Sequence, residues 1–172
     1  MTSLGAMSSN NFHDMPRESL VTQIATPDNV VVFTALIDGM TPSRIFACWT
    51  QPDLITQWWP PVAIVQPHIA GIYDSYIGGS YQFDWPGMGW TLRGTYLQWE
   101  PTKALVFTWA WDHQPAMPTR TVVLEVAPHF DLGTTLRLTQ GPYSNSSEDQ
   151  ADRQSHIDGW SHFLPKLAAL TE

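Results

Sequence analysis

The middle of the chain contains short segments in which apolar and polar side chains alternate. In Ser80–Trp85, for example, the three ring-bearing residues share one face and the polar residues share the other. A period of two is typical of a β-strand with one buried face. Further strands are predicted at 30–37, which is rich in β-branched and apolar residues, and at 71–76, 90–99, 104–111, 119–127 and 133–140. Turn residues such as Gly78-Gly79 separate them, so we predict an antiparallel sheet of about six to seven strands.

Helix signals flank these strands. Thr41-Pro42 offers an N-cap followed by a proline at the first helical position, and Pro52 begins a second short helix that Pro60-Pro61 ends. We expect a loop of about ten residues after that helix. A longer helix is predicted to start near Ser147, where Ser147 and Gln150 match a capping box. Its helical stripe consists of His156, Trp160, Phe163, Leu167 and Leu170, and Pro165 should bend it.

This order of elements predicts an α+β protein. Two short helices follow the first strand, and a long C-terminal helix follows a curved antiparallel sheet that wraps around it. The polar, aperiodic residues 1–20 are predicted to form a flexible N-terminal extension, and residues 21–172 a single domain.

The charge of the chain excludes some kinds of partner. Its net charge is −8, which disfavours nucleic acid and anionic lipid surfaces. No apolar segment approaches the roughly 18 residues of a membrane helix, and residues 1–10 lack the features of a signal peptide. The single cysteine, Cys48, lies among apolar residues, so we expect a buried thiol in a cytoplasmic protein rather than a nucleophile.

Nine tryptophans suggest a ligand cavity. A curved sheet and one helix cannot close completely with ordinary side chains, and the remaining space has the form of a small-molecule site. The expected lining is Tyr81, Phe83, Trp85, Trp109, Trp111, His156, Trp160 and Phe163, with Trp58 and Trp59 near the entrance. The alternative is that these rings fill an ordinary core.

Few residues are candidates for catalysis, for metal binding or for binding a charged group. Arg93 would anchor a carboxylate or phenolate if it points inward, and would be a surface charge if it points outward. His156 is the best candidate for acid–base catalysis, although a histidine at a helix–sheet contact is the alternative. His156 and His162 are six residues apart, which does not suit two metal ligands on one helix face. No nucleophile, metal site or cofactor motif is recognised.

Several motifs, taken in order, carry a family resemblance. They are the Thr41–Trp49 and Pro52–Pro60 helix pair, Gly78-Gly79-Ser80-Tyr81, Gly94, Glu100-Pro101, Leu105–Trp109, Gly133–Leu136 and Gly159-Trp160. Together they resemble the START/SRPBCC superfamily, and within it the branch named for activators of heat-shock-protein ATPase (AHSA-like), over about residues 28–171. The sequence departs from the pattern at Gln140, where many relatives carry His, and in its N-terminal extension.

The resemblance implies a helix-grip fold with a deep pocket between the sheet and the long helix. Members of the superfamily bind lipids, sterols, polyketides or aromatic compounds, and some are cyclases or other enzymes. Three hypotheses follow. The protein binds a small hydrophobic or aromatic molecule, or it is a cyclase-like or other acid–base enzyme using the same pocket. The third is a co-chaperone-like interaction module, with Trp58, Trp59 and the Pro60-Pro61 pair as an exposed patch. A homodimer is compatible with each.

Overall fold

The protein is described from a computed structural model, which covers residues 20–59, 64–66, 78–85, 87–130 and 133–170. The strands are β1 (Leu20–Ile24), β2 (Val31–Ile37), β3 (Ile64–Gln66), β4 (Ser80–Trp85), β5 (Trp90–Glu100), β6 (Ala104–Trp111), β7 (Arg120–His129) and β8 (Gly133–Gly141). The helices are α1 (Pro42–Thr50), α2 (Pro52–Trp58) and α3 (Ser147–Ala168).

One antiparallel sheet holds all eight described strands in the order β1-β2-β8-β7-β6-β5-β4-β3. β4 to β8 form a meander, and β8 then pairs with β2, so the sheet joins both ends of the chain. The α+β class, the curved sheet, the two short helices and the long C-terminal helix are all as the sequence predicted. The helix-grip fold is therefore confirmed.

The sequence analysis missed two edge strands. β1 lies where no strand was predicted, and β3 lies within the segment that was interpreted as a loop. Both are short, and β1 is largely exposed, so its side chains show little alternation to detect. The predicted strand at 71–76 and the extension at 1–19 lie outside the described residues.

The strand faces follow the predicted alternation. Tyr81, Phe83 and Trp85 of β4 are buried and the polar residues between them are less so. In β6, Leu105, Phe107 and Trp109 are buried on the same side of the sheet. These rings therefore face α3 and the short helices rather than solvent.

The helix starts were predicted correctly at α1 and α3, but the capping residue of α3 was placed one residue late. The Thr41 side chain accepts a hydrogen bond from the Arg44 backbone N–H, and Pro42 is the first residue of α1. In α3 the cap is Ser146, whose hydroxyl accepts from the Asp149 N–H. The predicted Ser147–Gln150 capping box is wrong, because the Gln150 amide instead donates to two carbonyl oxygens outside the helix.

The helix α3 approaches the sheet unevenly. Its closest backbone contacts are with β1 and β2, at one end of the strand order, and with α2. Toward β4, β5 and β6 the space is wider and is partly filled by large rings. Within the described residues, none of the helices combines the length and the apolarity that crossing a membrane requires.

Candidate functional site

A cavity of about 410 Å³ lies between α3 and the ends of β4, β5 and β6. This volume is in the range of small-molecule sites. From the sheet and its loops the lining residues are Trp85, Met88, Trp90, Trp109, Trp111, His113 and Gln114. The α3 side contributes Asp152, Ser155, His156, Asp158, Gly159, Trp160 and Phe163, and the end of α2 contributes Trp59.

Tryptophan rings form the deep wall of this cavity. Trp59 stacks on Trp109 with ring centroids 5.5 Å apart and planes at 20°. Trp160, on α3, contacts both rings at centroid distances of 5.6 and 5.3 Å. Toward the mouth, Trp85 and Trp111 are 5.1 Å apart. Stacked and tilted indoles leave flat apolar surfaces that suit a planar ligand.

The mouth is formed by exposed lining residues. Met88 and Trp90 belong to the hairpin between β4 and β5, and the exposed His113 ring stacks on Trp90 at 4.9 Å. Asp158 on α3 is also exposed and borders the same cavity. One of its carboxylate oxygens accepts a hydrogen bond from Gln154, at 2.8 Å.

Most of the proposed lining residues come together here. Trp59, Trp85, Trp109, Trp111, His156, Trp160 and Phe163 all border the cavity. Trp58, Tyr81 and Phe83 do not border it and surround only a void of about 10 Å³, which is barely the size of one water molecule. The Trp58 indole donates to the Cys48 carbonyl oxygen at 2.8 Å, inside the core.

The two positions expected near an entrance are buried instead. Trp58 is 0% exposed and Trp59 is 5% exposed, because the end of α2 packs against the core rings of Trp49 and Trp109. The expected adhesive patch of exposed indoles at Trp58 and Trp59 is therefore wrong.

Arg93 lies on the outer face of β5, away from the cavity. Its side chain is 50% exposed and forms an ion pair of 2.8 Å with Asp112. It also donates to the Gln82 side chain, which lies on the outward face of β4. Of the two orientations that the sequence left open, the structure has the outward one.

A buried ionic network lies behind the cavity and ties α3 to β7. Arg120 at the start of β7 contacts the carboxylates of Asp149 and Asp152 at 2.7 and 3.0 Å. It also donates to the Pro142 carbonyl oxygen and lies 4.5 Å over the Tyr143 ring. Hydrogen bonds from Arg120 and the Ser144 backbone N–H hold the pKa of Asp149 well below its usual range.

His156 connects this network to the cavity. Its Nδ1 lies 2.9 Å from the Tyr143 hydroxyl, which has no other hydrogen-bond partner among the described residues. We assign the hydroxyl as the donor to Nδ1, because it has no other acceptor among those residues, and in this tautomer the neutral ring carries its proton on Nε2. Burial lowers the pKa of His156 to about 4, opposed by Asp152 and assisted by Arg120. Near pH 7 the residue is therefore an uncharged hydrogen-bond donor.

Two buried donors near this site have no acceptor within the described part of the chain. They are Nε1 of Trp109 and Nε2 of Gln140. The Gln140 side chain uses its oxygen to accept from Nε1 of Trp160, at 2.6 Å. This chain therefore uses the amide of Gln140 to orient a cavity tryptophan.

Sequence reasoning missed the polar lining of α3 and the ion network. Asp152 and Gly159 lie four and three residues from His156, and Ser155 lies three residues after Asp152 and four before Gly159, so helical spacing places them along one side of α3. A search restricted to ring-bearing positions passed over them. Arg120 carried no local signal, since its partners are about thirty residues away. Within the described residues, no three or more His, Cys, Asp or Glu side chains could hold one metal ion.

Comparison with solved structures supports the fold. Protein Ms6760 from Mycobacterium smegmatis has a TM-score of 0.69 at 20% identity, covering 89% of this chain and 98% of its own. Protein CV1439 from Chromobacterium violaceum has a TM-score of 0.65 at 22% identity, covering 84% and 98%. PFC0360w, an HSP90 activator from Plasmodium falciparum, has a TM-score of 0.62 at 19% identity, covering 79% and 91%.

Sequence comparison gives the family. No curated protein sequence matches this chain. The sequence model of one family matches residues 40–172, which is most of the chain and includes every residue that lines the cavity. The protein therefore belongs to the family described as Activator of Hsp90 ATPase homolog 1-like protein.

Proposed function

We propose that this protein binds one small, hydrophobic, ring-bearing molecule in the cavity between α3 and the ends of β4, β5 and β6. The observation that carries the proposal is the cavity itself, about 410 Å³ with six tryptophans in its wall. An apolar hollow of this size with a few polar groups is the usual form of a ligand site.

Binding fits the geometry better than acid–base catalysis. His156 is the titratable residue that the sequence favoured for catalysis, and its pKa of about 4 leaves little driving force to accept a proton near pH 7. Its Nδ1 is already occupied by Tyr143. The free Nε2–H suits a hydrogen bond to a ligand, which is a binding role.

The structure removes the main argument for a co-chaperone-like interaction module. That argument relied on an exposed patch of Trp58, Trp59 and Pro60-Pro61. Both tryptophans are buried, and the two prolines lie outside the described residues. The likeness to an HSP90 activator from Plasmodium falciparum is a likeness of fold at 19% identity. We therefore propose ligand binding rather than chaperone activation.

Gly159 provides the test of the proposed site. It lies on the α3 face that borders the cavity, and a Cβ added there would meet nothing within 4 Å. A larger side chain can therefore enter the hollow without displacing the backbone. Replacing a helical glycine also stabilises the helix by about 1 kcal/mol, so loss of binding would not reflect unfolding.

The experiment is a fluorescence titration with N-phenyl-1-naphthylamine, a neutral ring probe that brightens in apolar sites. We expect saturable binding to the wild type and a loss of affinity of at least about tenfold in Gly159→Leu, because the leucine occupies the ligand volume. The matched control Gly159→Ala adds one methyl group and should bind within about twofold of the wild type. Thermal unfolding checks that all three proteins are folded.

Two results would contradict the proposal. One is equal affinity in the wild type and Gly159→Leu, since the probe would then bind elsewhere. The other is a folded wild type that shows no saturable binding of the probe and carries no small molecule in native mass spectrometry.

A further inference from the structure

The charges around the cavity have one sign. Asp152 and Asp158 border it, and no lysine or arginine does among the described residues. Behind the wall, Asp149 and Asp152 share a single guanidinium, that of Arg120. Among Asp149, Asp152, Asp158 and Arg120, three carboxylates and one guanidinium leave an excess of two negative charges. The chain as a whole carries a net charge of −8.

The histidine of the α3 wall does not offset this charge. Burial holds His156 in its uncharged form at neutral pH, so it contributes an N–H donor and no cation. α3 carries two lysine or arginine residues. Arg153 donates to the Val30 carbonyl oxygen and the Thr26 hydroxyl, and Lys166 lies over the Phe163 ring at 5.1 Å and contacts His162. Neither of them borders the cavity.

The rings of the same cavity favour a cation. The faces of aromatic rings carry partial negative charge, and indole is the strongest of them in attracting an alkylammonium group. Trp90 is 41% exposed at the mouth, next to the half-buried Trp111 at 6.1 Å. Asp158 borders the same mouth, with one carboxylate oxygen held by Gln154. Aromatic faces and a carboxylate together form the usual receptor for an organic ammonium group.

We infer that the ligand of this cavity is an organic cation, in which a ring-bearing or alkyl body enters between the tryptophans and an ammonium group lies at the mouth beside Asp158. This inference rests on the proposed ligand-binding function and adds the charge of the ligand to it. Carboxylates and phosphates of the same shape are rejected, because the cavity places negative charge beside them without a basic partner.

The test compares three ligands of one shape: 2-(naphthalen-1-yl)ethyl-trimethylammonium, its uncharged tert-butyl analogue, and the corresponding carboxylate. Their affinities are measured by displacement of N-phenyl-1-naphthylamine at low salt. We expect the trimethylammonium compound to bind at least about tenfold more tightly than the tert-butyl analogue, and the carboxylate to bind most weakly.

Two variants locate the effect. Asp158→Asn should reduce the affinity for the trimethylammonium compound several-fold and leave that for the tert-butyl analogue within about twofold. The matched control Glu125→Gln removes the same charge from the outer face of β7, where Glu125 is exposed, and should leave the order and the affinities unchanged. An equal effect of both substitutions would assign the preference to net charge and would overturn the role of the mouth.

The outcomes separate this inference from the proposed function. If the tert-butyl analogue or the carboxylate binds as tightly as the cation, the inference is overturned while the ligand site stands. If none of the three displaces the probe and the probe itself does not bind, the ligand site and the inference both fail.

Discussion

The imidazole of His156 is held uncharged by its surroundings, and this has a consequence for acid stability. The side chain is 7% exposed, and its Nδ1 accepts from Tyr143. Burial dominates the shift, and Asp152 only partly opposes it, since that carboxylate is neutralised by Arg120. Because the pKa is lower in the folded protein than in the unfolded chain, the unfolded chain binds more protons between the two values, and stability falls as pH falls.

We predict that the wild type loses stability as the pH drops from 6.5, the pKa of His156 in the unfolded chain, to about 4, its pKa in the folded protein. The contribution of this residue is at most roughly 3 kcal/mol. Urea unfolding at about pH 7 and about pH 4.5 measures it, with His156→Gln expected to show a clearly smaller difference. Glutamine keeps an acceptor for Tyr143 but does not titrate.

A control variant and the behaviour of Asp149 allow the pH dependence to be assigned to His156. The control is His162→Gln, which should show the same difference in unfolding free energy between the two pH values as the wild type, because His162 is exposed. Asp149 has a lowered pKa, so its contribution is present above its unfolded value of 3.8 and is lost only below it. The same pH dependence in His156→Gln as in the wild type would contradict the assignment.

The positions of individual aromatic side chains were predictable from the sequence where a regular strand or helix carries them. Trp85, Trp109 and Trp160 were identified because strand and helix periods report which face a side chain occupies. Arg93 was left undecided because β5 has large residues on both faces. The pairing of Arg120 with Asp149 and Asp152 could not be found, since it depends on the register of β7 against α3 and not on local spacing.

Among the strands, β4, β5 and β6 come unusually close at Gly94. A Cβ at this position would lie 2.0 Å from the Thr108 carbonyl oxygen and 2.3 Å from the Tyr81 ring. The Tyr81 hydroxyl crosses over Gly94 and donates to that same carbonyl oxygen, at 2.6 Å. The family motif therefore has a physical reason here: the glycine leaves room for a tyrosine that links β4 to β6 across β5.

We predict that Gly94→Ala destabilises the protein by about 3 kcal/mol or more, because the methyl group has no space and backbone atoms must move. The control is Gly87→Ala in the β4–β5 hairpin, where an added Cβ meets nothing within 4 Å. This control should change stability by less than about 0.5 kcal/mol. Urea unfolding of both variants checks the prediction, and equal stabilities would show that the close approach at Gly94 does not exist.

The order of most strands and helices was predictable from the sequence, but the two edge strands and the cap of α3 were not. The strands that alternate clearly, such as β4, β6 and β8, were found with nearly correct bounds. β1 and β3 were missed because an edge strand buries little surface and needs no strict pattern. The cap of α3 was placed one residue late because Ser146 and Ser147 are equally good caps by residue type, and only the backbone geometry separates them.

The shape of the molecule explains why a cavity exists and where it lies. β2 joins β8, which brings β1 and β2 against one side of α3. On the other side, the strands β4 to β6 lie farther from the helix, and flat indoles span part of the gap without filling it. The sequence predicted that rings would face this space. The sequence could not show where along the strands the cavity lies. Periodicity indicates which face of a strand a side chain occupies, but it does not indicate how much space remains in front of that side chain. The cavity is beside Trp90, and only a small void is beside Tyr81.

The tryptophans offer a direct readout of this arrangement, because they divide into two sets. Six border the cavity: Trp59, Trp85, Trp90, Trp109, Trp111 and Trp160. The other three, Trp49, Trp58 and Trp99, lie outside its lining, among the core rings around α1 and β5. Replacing all nine by 5-fluorotryptophan gives one ¹⁹F resonance for each, assigned by single Trp→Phe variants.

The decisive measurement is a ¹⁹F NMR titration of this labelled protein with N-phenyl-1-naphthylamine. The account predicts that resonances of the six lining tryptophans shift with one common saturation curve, while those of Trp49, Trp58 and Trp99 shift little. Shifts confined to Trp49, Trp58 and Trp99, or no shift at all in a folded protein, would contradict a ligand site between α3 and the ends of β4 to β6.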